Sequence, residues 1–213
     1  MSTSSLADAP SHARLSPASN SARTDGTTLW AEQIARQAVG AKCTTLGLTS
    51  GSRQANDRRA IDALARSLAE QLLHSPRASA QLLVLRLDVF LSTSLERLDD
   101  QPAGPPRPCK SPLGEWSEVT IPMPVGKRAS WSLEHLPHWL PAWKSQFCCL
   151  LIDLGPIHLV PSRLIGRLCD SCYVLLGPDA CASQEWLLQH IAWHDRSGSA
   201  ICGTIVTSLA PAA

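Results

Sequence analysis

The sequence has almost no net charge, because 19 lysines and arginines balance 18 aspartates and glutamates among its 213 residues. Binding to nucleic acid or to an anionic membrane surface normally requires an excess of basic residues, so we expect neither. No apolar run approaches the ~20 residues that span a bilayer, and the amino terminus does not resemble a secretory signal. We therefore expect a cytoplasmic protein that does not insert into a membrane itself.

The sequence is too long for a typical secreted disulfide scaffold, although it contains eight cysteines. A chain with 44% hydrophobic residues has enough apolar material to build a core without disulfides. Most of the cysteines lie beside aliphatic residues, which predicts buried free thiols. The C-x-x-C sequence of Cys169 and Cys172 has no second pair at zinc-finger spacing, so a structural role is favoured over zinc or redox chemistry.

The distribution of apolar residues predicts a tail followed by one domain. Residues 1–27 contain almost no large apolar side chain, which is typical of a disordered segment, and residues 28–213 form the domain. Apolar periodicity in the domain predicts strands that alternate with helices, and so a doubly wound α/β fold whose mostly parallel sheet has helices on both faces. The predicted helices are 29–39, 57–73, 162–168 and 182–195, and the predicted strands are 44–49, 82–89, 116–122, 147–154, 172–177 and 200–207.

Two segments interrupt this alternation. Residues 98–115 are rich in proline and are predicted to form a surface loop. Residues 131–145 carry closely spaced leucine and tryptophan side chains that could pack in a core. Pro137 and Pro141, however, are expected to break or kink any helix there. The tryptophan-rich part, 131–143, is consistent either with a helix pair packed on the sheet or with an exposed patch that binds a partner.

The loop at residues 50–59 has the position of a phosphate-binding loop without its chemistry. Such a loop joins a strand to a helix, wraps phosphates with the N–H groups of glycines, and supplies a lysine to the phosphates and a hydroxyl to Mg²⁺. Residues 46–59 read LGLTSGSRQANDRR. The strand, turn and helix signals are all present, but the lysine and the hydroxyl that should follow it are absent.

These residues resemble the strand and loop of the MinD/ParA-type P-loop ATPases, and most closely the branch that contains the bacterial tyrosine kinases (BY-kinases) of exopolysaccharide export. Members of that branch typically read T-S-x-x-P-G-E-G-K-S-T, and Thr49 and Ser50 match its first two positions. The remaining positions differ: the two loop glycines correspond to Gln54 and Asn56, the lysine to Asp57, and the Mg²⁺-binding hydroxyl residues to Arg58 and Arg59.

The resemblance extends over roughly residues 28–207. Residues 83–88, LVLRLD, resemble the second acidic strand of the family, V-L-L-V-D-A-D, with Arg86 in place of the first aspartate and Asp88 at the second. Residues 150–156 resemble the Walker B strand, which implies a metal-site role for Asp153. The last strand resembles G-V-V-L-N, and Thr207 replaces the asparagine that commonly contacts the base. The resemblance implies a P-loop NTPase-like fold.

Charge at the loop argues against catalysis. An aspartate at the lysine position changes an attraction for the γ-phosphate into a repulsion, a difference of several kcal/mol at ~3–4 Å even with an effective dielectric of ~20. Asn56 or Asp57 can instead cap the helix that follows. We therefore expect a pseudo-ATPase without a bound cofactor. The alternatives are an active ATPase or kinase that uses ATP and Mg²⁺ with groups from Asp88, Asp153 and a partner chain, and an anion site formed by Arg53, Arg58 and Arg59.

The resemblance also implies partners. It suggests a bacterial binding or regulatory subunit, active as a homodimer or heterodimer, that reaches the membrane through a polysaccharide synthesis or export component. Tyr173 is the only tyrosine and lies in a predicted buried strand, so the tyrosine-rich tail of a BY-kinase is absent from this sequence. His190 and His194 stand four residues apart, and a solvated helix face is favoured over a metal-binding pair.

Overall fold

The computed structural model describes residues 26–40, 43–51, 58–74, 81–91, 104–125, 130–177, 183–199 and 201–206. These residues form five helices and seven strands within the described part of the chain. In chain order they are α1 (Gly26–Gly40), β1 (Thr44–Ser50), α2 (Arg58–Leu73), β2 (Leu82–Leu91), β3 (Cys109–Lys110), β4 (Ser117–Val125), α3 (Ser130–Lys144), β5 (Cys149–Pro156), α4 (Val160–Gly166), β6 (Ser171–Leu176), α5 (Gln184–Ser197) and β7 (Ile201–Val206).

The strands form one sheet in the order β3-β4-β2-β5-β1-β6-β7. Every neighbouring pair is parallel except β3 and β4, which are antiparallel. Helices lie in the connections from β1 to β2, β4 to β5, β5 to β6 and β6 to β7, as crossovers between parallel strands commonly have, whereas the described part of the connection from β2 to β4 contains β3. The predicted α/β architecture with a mostly parallel sheet is confirmed.

Apolar layers cover both faces of the sheet. On one face, the stripe of Ile61, Leu64 and Leu68 on α2 packs with α1 against inward residues of β1, β2 and β5. On the other face, α3 and Ile165 of α4 pack against alternate residues of β2, β4 and β5. Because successive strand residues point to opposite faces, each central strand contributes to both layers. Helix α2, which follows β1 in the chain, therefore covers this face of the sheet.

The tryptophan-rich segment forms one helix, so the predicted break at Pro137 and Pro141 is wrong. Both prolines are exposed, whereas Trp139 and Trp143 are buried beneath them with 4% and 1% of their surface accessible. Burial of the apolar face outweighs the cost of two missing backbone donors. These two tryptophans therefore belong to a helix packed on the sheet and not to an exposed binding patch.

Three smaller expectations also need correction. The predicted surface loop 98–115 contains β3, which pairs with β4 through Cys109 and Glu118. His190 and His194 do not lie on a solvated face, since they are 6% and 0% exposed and face α4 and the segment before it. Cys202 is exposed on the edge strand β7, where the side chains at 202, 204 and 206 lie on one face of the strand and are all exposed.

The tail and the ends of the domain are described only in part. Helix α1 begins at Gly26, two residues before the predicted start of the domain, and Trp30 and Ile34 are buried on its predicted apolar face. Within the described residues, no helix is long and apolar enough to cross a membrane.

Candidate functional site

Strand alternation brings the chemically important residues of β2 and β5 to the face that α2 covers. Leu82 and Val84 of β2 belong to the α2 layer, so Arg86 and Asp88, two and four residues further on, point the same way. On β5, Cys149 and Leu151 belong to that layer, and Asp153 continues the series. Arg86 and Asp153 are also direct partners in the β2–β5 register. A cation and a carboxylate thus lie side by side beneath α2.

The guanidinium of Arg86 is the centre of a partly buried ion network. Its Nη2 atom donates to Asp62 Oδ1 of α2 at 2.5 Å and lies 3.5 Å from Glu118 Oε2 of β4. The Arg86 side chain is only 12% exposed, and its Nη1 atom is buried without a hydrogen-bond partner. Burial opposes its charge, but the hydrogen bond that it donates to Asp62 and the nearby carboxylates raise the Arg86 pKa. The Arg86 side chain is therefore a permanent cation between one carboxylate on a helix, Asp62, and one on a strand, Glu118.

Asp153 is almost fully buried beside this network, with 2% of its surface accessible. Its Oδ1 atom accepts a hydrogen bond from the Gly155 N–H at 3.0 Å, and Gly155 adopts a φ of 74°, which a residue with a side chain rarely adopts. Burial raises the Asp153 pKa, while the Gly155 N–H and the charges of Arg86 and Arg58 pull it down. The carboxylate is thus oriented by the backbone of its own strand and faces a fixed cation.

The first turn of α2 carries Arg58 and Arg59, the residues at the expected hydroxyl positions. Both are exposed, and Arg58 Nη2 lies 3.9 Å from Asp88 Oδ1, with 61% and 54% of the two side chains accessible. An exposed ion pair of this kind contributes little to stability. The two arginines nevertheless extend the positive charge of the site from Arg86 toward solvent.

The loop itself is described only at its two ends. Ser50 is buried at the end of β1, and its carbonyl accepts from the Ile157 N–H at 2.9 Å. The next residue, Gly51, donates to the Leu175 carbonyl of β6 at 2.9 Å. Predicted site positions that lie outside the described residues are Gln54, Asn56, Asp57 and Thr207, together with Arg53 of the alternative anion site.

Sequence reasoning missed the two partners of Arg86, Asp62 and Glu118. The available signal was Arg86 itself, since an arginine within the apolar run of a central strand needs carboxylates from the elements that pack on it. Asp62 borders the apolar stripe of α2, and Glu118 alternates with Val119 on β4. Glu118 is recognisable as a partner only from the β2–β4 register, which pairs Val84 with Glu118. Asp62 is recognisable only from the packing of α2 on the sheet.

Comparison with solved structures identifies the fold. The kinase domain of the Escherichia coli tyrosine kinase ETK matches 88% of this chain and 78% of its own, with a TM-score of 0.61 and 13% identity. The BceF tyrosine kinase domain matches 84% of this chain and 76% of its own, with a TM-score of 0.58 and 18% identity. The VpsO kinase domain matches 86% and 96%, with a TM-score of 0.55 and 18% identity.

The chain has the fold of the bacterial tyrosine kinase domains. No family model matches the sequence, and no curated protein is similar to it in sequence. The matches to solved structures confirm the P-loop NTPase-like fold that the motifs predict. Because the sequence identities are low, these matches show the fold alone.

The described residues of this site have few groups that could bind a metal ion. Asp153 could contribute a carboxylate, but the Arg86 guanidinium is its register partner on β2, and its positive charge would oppose a metal ion there. Arg58 and Arg59 offer no metal ligand, since guanidinium groups have no acceptor atoms.

Proposed function

We propose that this protein is a non-catalytic relative of the BY-kinases, a pseudo-ATPase that works as a binding or regulatory subunit. The observation that carries the proposal is the Arg86 guanidinium, which pairs with Asp62 and lies next to Asp153 in the sheet register. The resembled family has an acidic residue at this position. Here the chain supplies its own cation to the carboxylates of the site.

The network also accounts for the stability of a site without nucleotide. Carboxylates gathered under a helix repel one another unless a metal ion or a basic side chain neutralises them. Arg86 neutralises Asp62 and Glu118 directly and lowers the pKa of Asp153 at longer range. The fold therefore does not require Mg²⁺ to balance its charges.

A binding role agrees with what the rest of the chain retains. The seven-stranded sheet and its two apolar layers are complete within the described residues, so loss of the phosphate chemistry has left the scaffold intact. By its resemblance to the export-associated BY-kinases, we propose a partner in bacterial exopolysaccharide synthesis or export. This partner would hold the protein at the membrane, and the protein would act as a homodimer or heterodimer.

One observation favours the alternative, an active ATPase or kinase with an atypical site. Asp153 stands where the resemblance places the Walker B aspartate, and its Oδ1 atom accepts a hydrogen bond from the Gly155 N–H. Under this alternative a partner chain would have to supply the groups that bind the phosphates and displace Arg86 from Asp62.

Phosphate release from ATP separates the two functions. The purified protein is compared with the Asp153→Ala variant in the presence of Mg²⁺, alone and with the cytoplasmic segment of a polysaccharide-export membrane protein. The proposal predicts the same background rate for both proteins and a stable complex with that segment in both cases. Turnover that rises on mixing and is lost in Asp153→Ala would support the active enzyme instead.

A further inference from the structure

A pair of thiols lies near the amino end of β6, away from the arginine site. Cys169 ends the turn after α4, and Cys172 is the second residue of β6, where it pairs in register with Gly47 of β1. A Cβ atom on Gly47 would lie 2.8 Å from the Cys172 Sγ atom and 3.0 Å from the Cys169 Sγ atom. Both thiols thus converge on the space that a side chain at residue 47 would occupy.

Each thiol donates to a carbonyl of the preceding helix, with Cys169 Sγ 3.8 Å from the Ile165 oxygen and Cys172 Sγ 3.5 Å from the Gly166 oxygen. The turn that joins them is fastened to β1, because Asp170 Oδ2 accepts from the Thr45 N–H at 2.7 Å and the Asp170 N–H donates to the Thr45 carbonyl at 2.8 Å. Cys172 is 1% exposed and Cys169 is half-buried. The pair is therefore preorganised, with one thiol nearer to solvent and the other behind it.

A buried serine and histidine lie beyond Cys172. The Ser199 hydroxyl donates to Cys172 Sγ at 3.6 Å, and its Oγ atom lies 3.1 Å from His194 Nδ1. His194 Nε2 lies 3.3 Å from the Ile157 carbonyl, which can only accept, so Nε2 carries the ring proton. Burial lowers the pKa of His194, so its ring is a poor proton acceptor, and the polar group that contacts the Cys172 sulfur is the Ser199 hydroxyl.

We propose that Cys169 and Cys172 form a site of reversible oxidation, at which a small hydroperoxide converts the two thiols into a disulfide. The Cys169 thiol, the one nearer to solvent, releases its proton, which the hydroxide formed in the next step takes up as water. The Cys169 thiolate attacks one oxygen of the peroxide, the O–O bond breaks, and a sulfenic acid and hydroxide form. Cys172 sulfur displaces the hydroxyl group from Cys169, and the two thiol protons leave in two molecules of water.

The other cysteines described near this pair are poorer candidates. Burial raises the pKa of Cys43 to about 11, so it remains a thiol at neutral pH. Burial likewise keeps the pKa of Cys149 well above its ordinary value. The contact between the two thiols lowers the pKa of Cys172, and the same contact, with burial, raises the pKa of Cys169 well above its ordinary value. The pair is therefore distinguished from Cys43 and Cys149 by two thiols that converge on one space beside Gly47 and not by the acidity of the attacking thiol.

Mass spectrometry of the full-length protein tests the proposal. The reduced protein is treated with hydrogen peroxide, alkylated, and cleaved with chymotrypsin, which cuts after Leu168 and Tyr173 and so isolates residues 169–173 with these two cysteines alone. We expect a peptide lighter by two hydrogen atoms that resists alkylation and is restored by dithiothreitol. Two alkylated cysteines in this peptide while exposed Cys202 is oxidised would overturn the proposal.

Variants separate the disulfide from general oxidation. Cys169→Ser should abolish the oxidised peptide form, whereas Cys202→Ser should leave it unchanged, because Cys202 is exposed on β7. Ser199→Ala should slow disulfide formation several-fold and leave the final yield unchanged. An unchanged rate in Ser199→Ala would overturn a role for the Ser199 hydroxyl as the donor to the Cys172 sulfur, and oxidation that persists in Cys169→Ser would overturn the pair.

Discussion

The charge balance of the site depends on one side chain, Arg86. It carries the only guanidinium within ion-pair distance of Asp62 and Glu118 among the described residues, and all three side chains are less than a third exposed. Partly buried charges of this kind cost free energy when they lose their partner, because they are then poorly solvated. The effect of Arg86 on stability should therefore differ sharply from that of an exposed arginine.

Arg86→Met should destabilise the protein by about 2–3 kcal/mol, the lower part of the range for breaking a buried ion pair, because Asp62 and Glu118 keep some contact with water. The measurement is urea unfolding at neutral pH. The matched control is Arg58→Met, which removes an exposed pair with Asp88 and should change the free energy of unfolding by no more than about 0.5 kcal/mol. Equal losses in the two variants would contradict the network.

Asp153 makes a separate prediction about pH. Its pKa is raised by burial, so the folded state holds the carboxyl proton at pH values where the unfolded state has released it. Stability contributed by this group therefore rises as the pH falls toward its raised pKa and is lost as the pH rises through it. Asp153→Asn keeps an acceptor for the Gly155 N–H and removes the titration.

The measurement for Asp153 is urea unfolding of both proteins between neutral pH and about pH 4, the ordinary range of an aspartate. Asp153→Asn should gain stability relative to the wild type at neutral pH, and this advantage should shrink as the pH falls. A relative advantage that grows on acidification would mean that Arg86 and the Gly155 N–H outweigh burial and hold the carboxylate ionised.

At the scale of elements, α3 tolerates two prolines because its packing compensates for them. Pro137→Ala restores a backbone donor at an exposed position and should raise the free energy of unfolding by about 1–2 kcal/mol, less than the full cost of an interior proline because the unfolded chain gains freedom. Pro161→Ala is the matched control, since Pro161 lies in the first turn of α4, where proline is favourable. A gain in both variants, or in neither, would contradict this account.

The start of α2 is the second element that can be tested. Its first turn contains Arg58 and Arg59 and no acidic residue, an unfavourable arrangement at the positive end of a helix dipole. The preceding residue, Asp57, is outside the described residues and is predicted from sequence to cap the helix. Asp57→Ala should lower stability by about 1 kcal/mol, and Asp57→Lys by more. A thermal melt of Asp57→Lys at or above the wild type would show that the helix does not need a negative group there.

At the scale of the whole molecule, the order of strands and helices was predictable because each central strand carries an apolar run and each major helix a periodic apolar stripe. The segments 82–89 and 57–73 were found close to their observed bounds for this reason. Helix α3 was not, because its prolines speak against a helix and only its contacts with the sheet offset them. The burial of His194 was likewise invisible, since its partners are Ile157 and Ser199, which the fold brings together.

The sequence predicted which strand positions belong to the candidate site, but not which side chains contact one another there. The motif comparison assigns Arg86 and Asp88 to one strand and Asp153 to another, and the sheet register makes Arg86 and Asp153 direct partners. Their chemistry depends on Asp62 and Glu118, which belong to elements separated in sequence and joined only by the sheet and α2. Local patterns carry no information on such pairings.

The central claim is that the chain has replaced a bound nucleotide with its own side chains. Titration with a fluorescent ATP analogue, with and without Mg²⁺, tests it most directly. The control is a variant in which the family's loop is rebuilt, with Gln54→Gly, Asn56→Gly, Asp57→Lys, Arg58→Ser and Arg59→Thr made together. The wild type should bind no more tightly than about 1 mM, a free energy of about 4 kcal/mol, and the rebuilt loop should bind more tightly. Saturable binding to the wild type at micromolar concentration, strengthened by Mg²⁺, would contradict the claim.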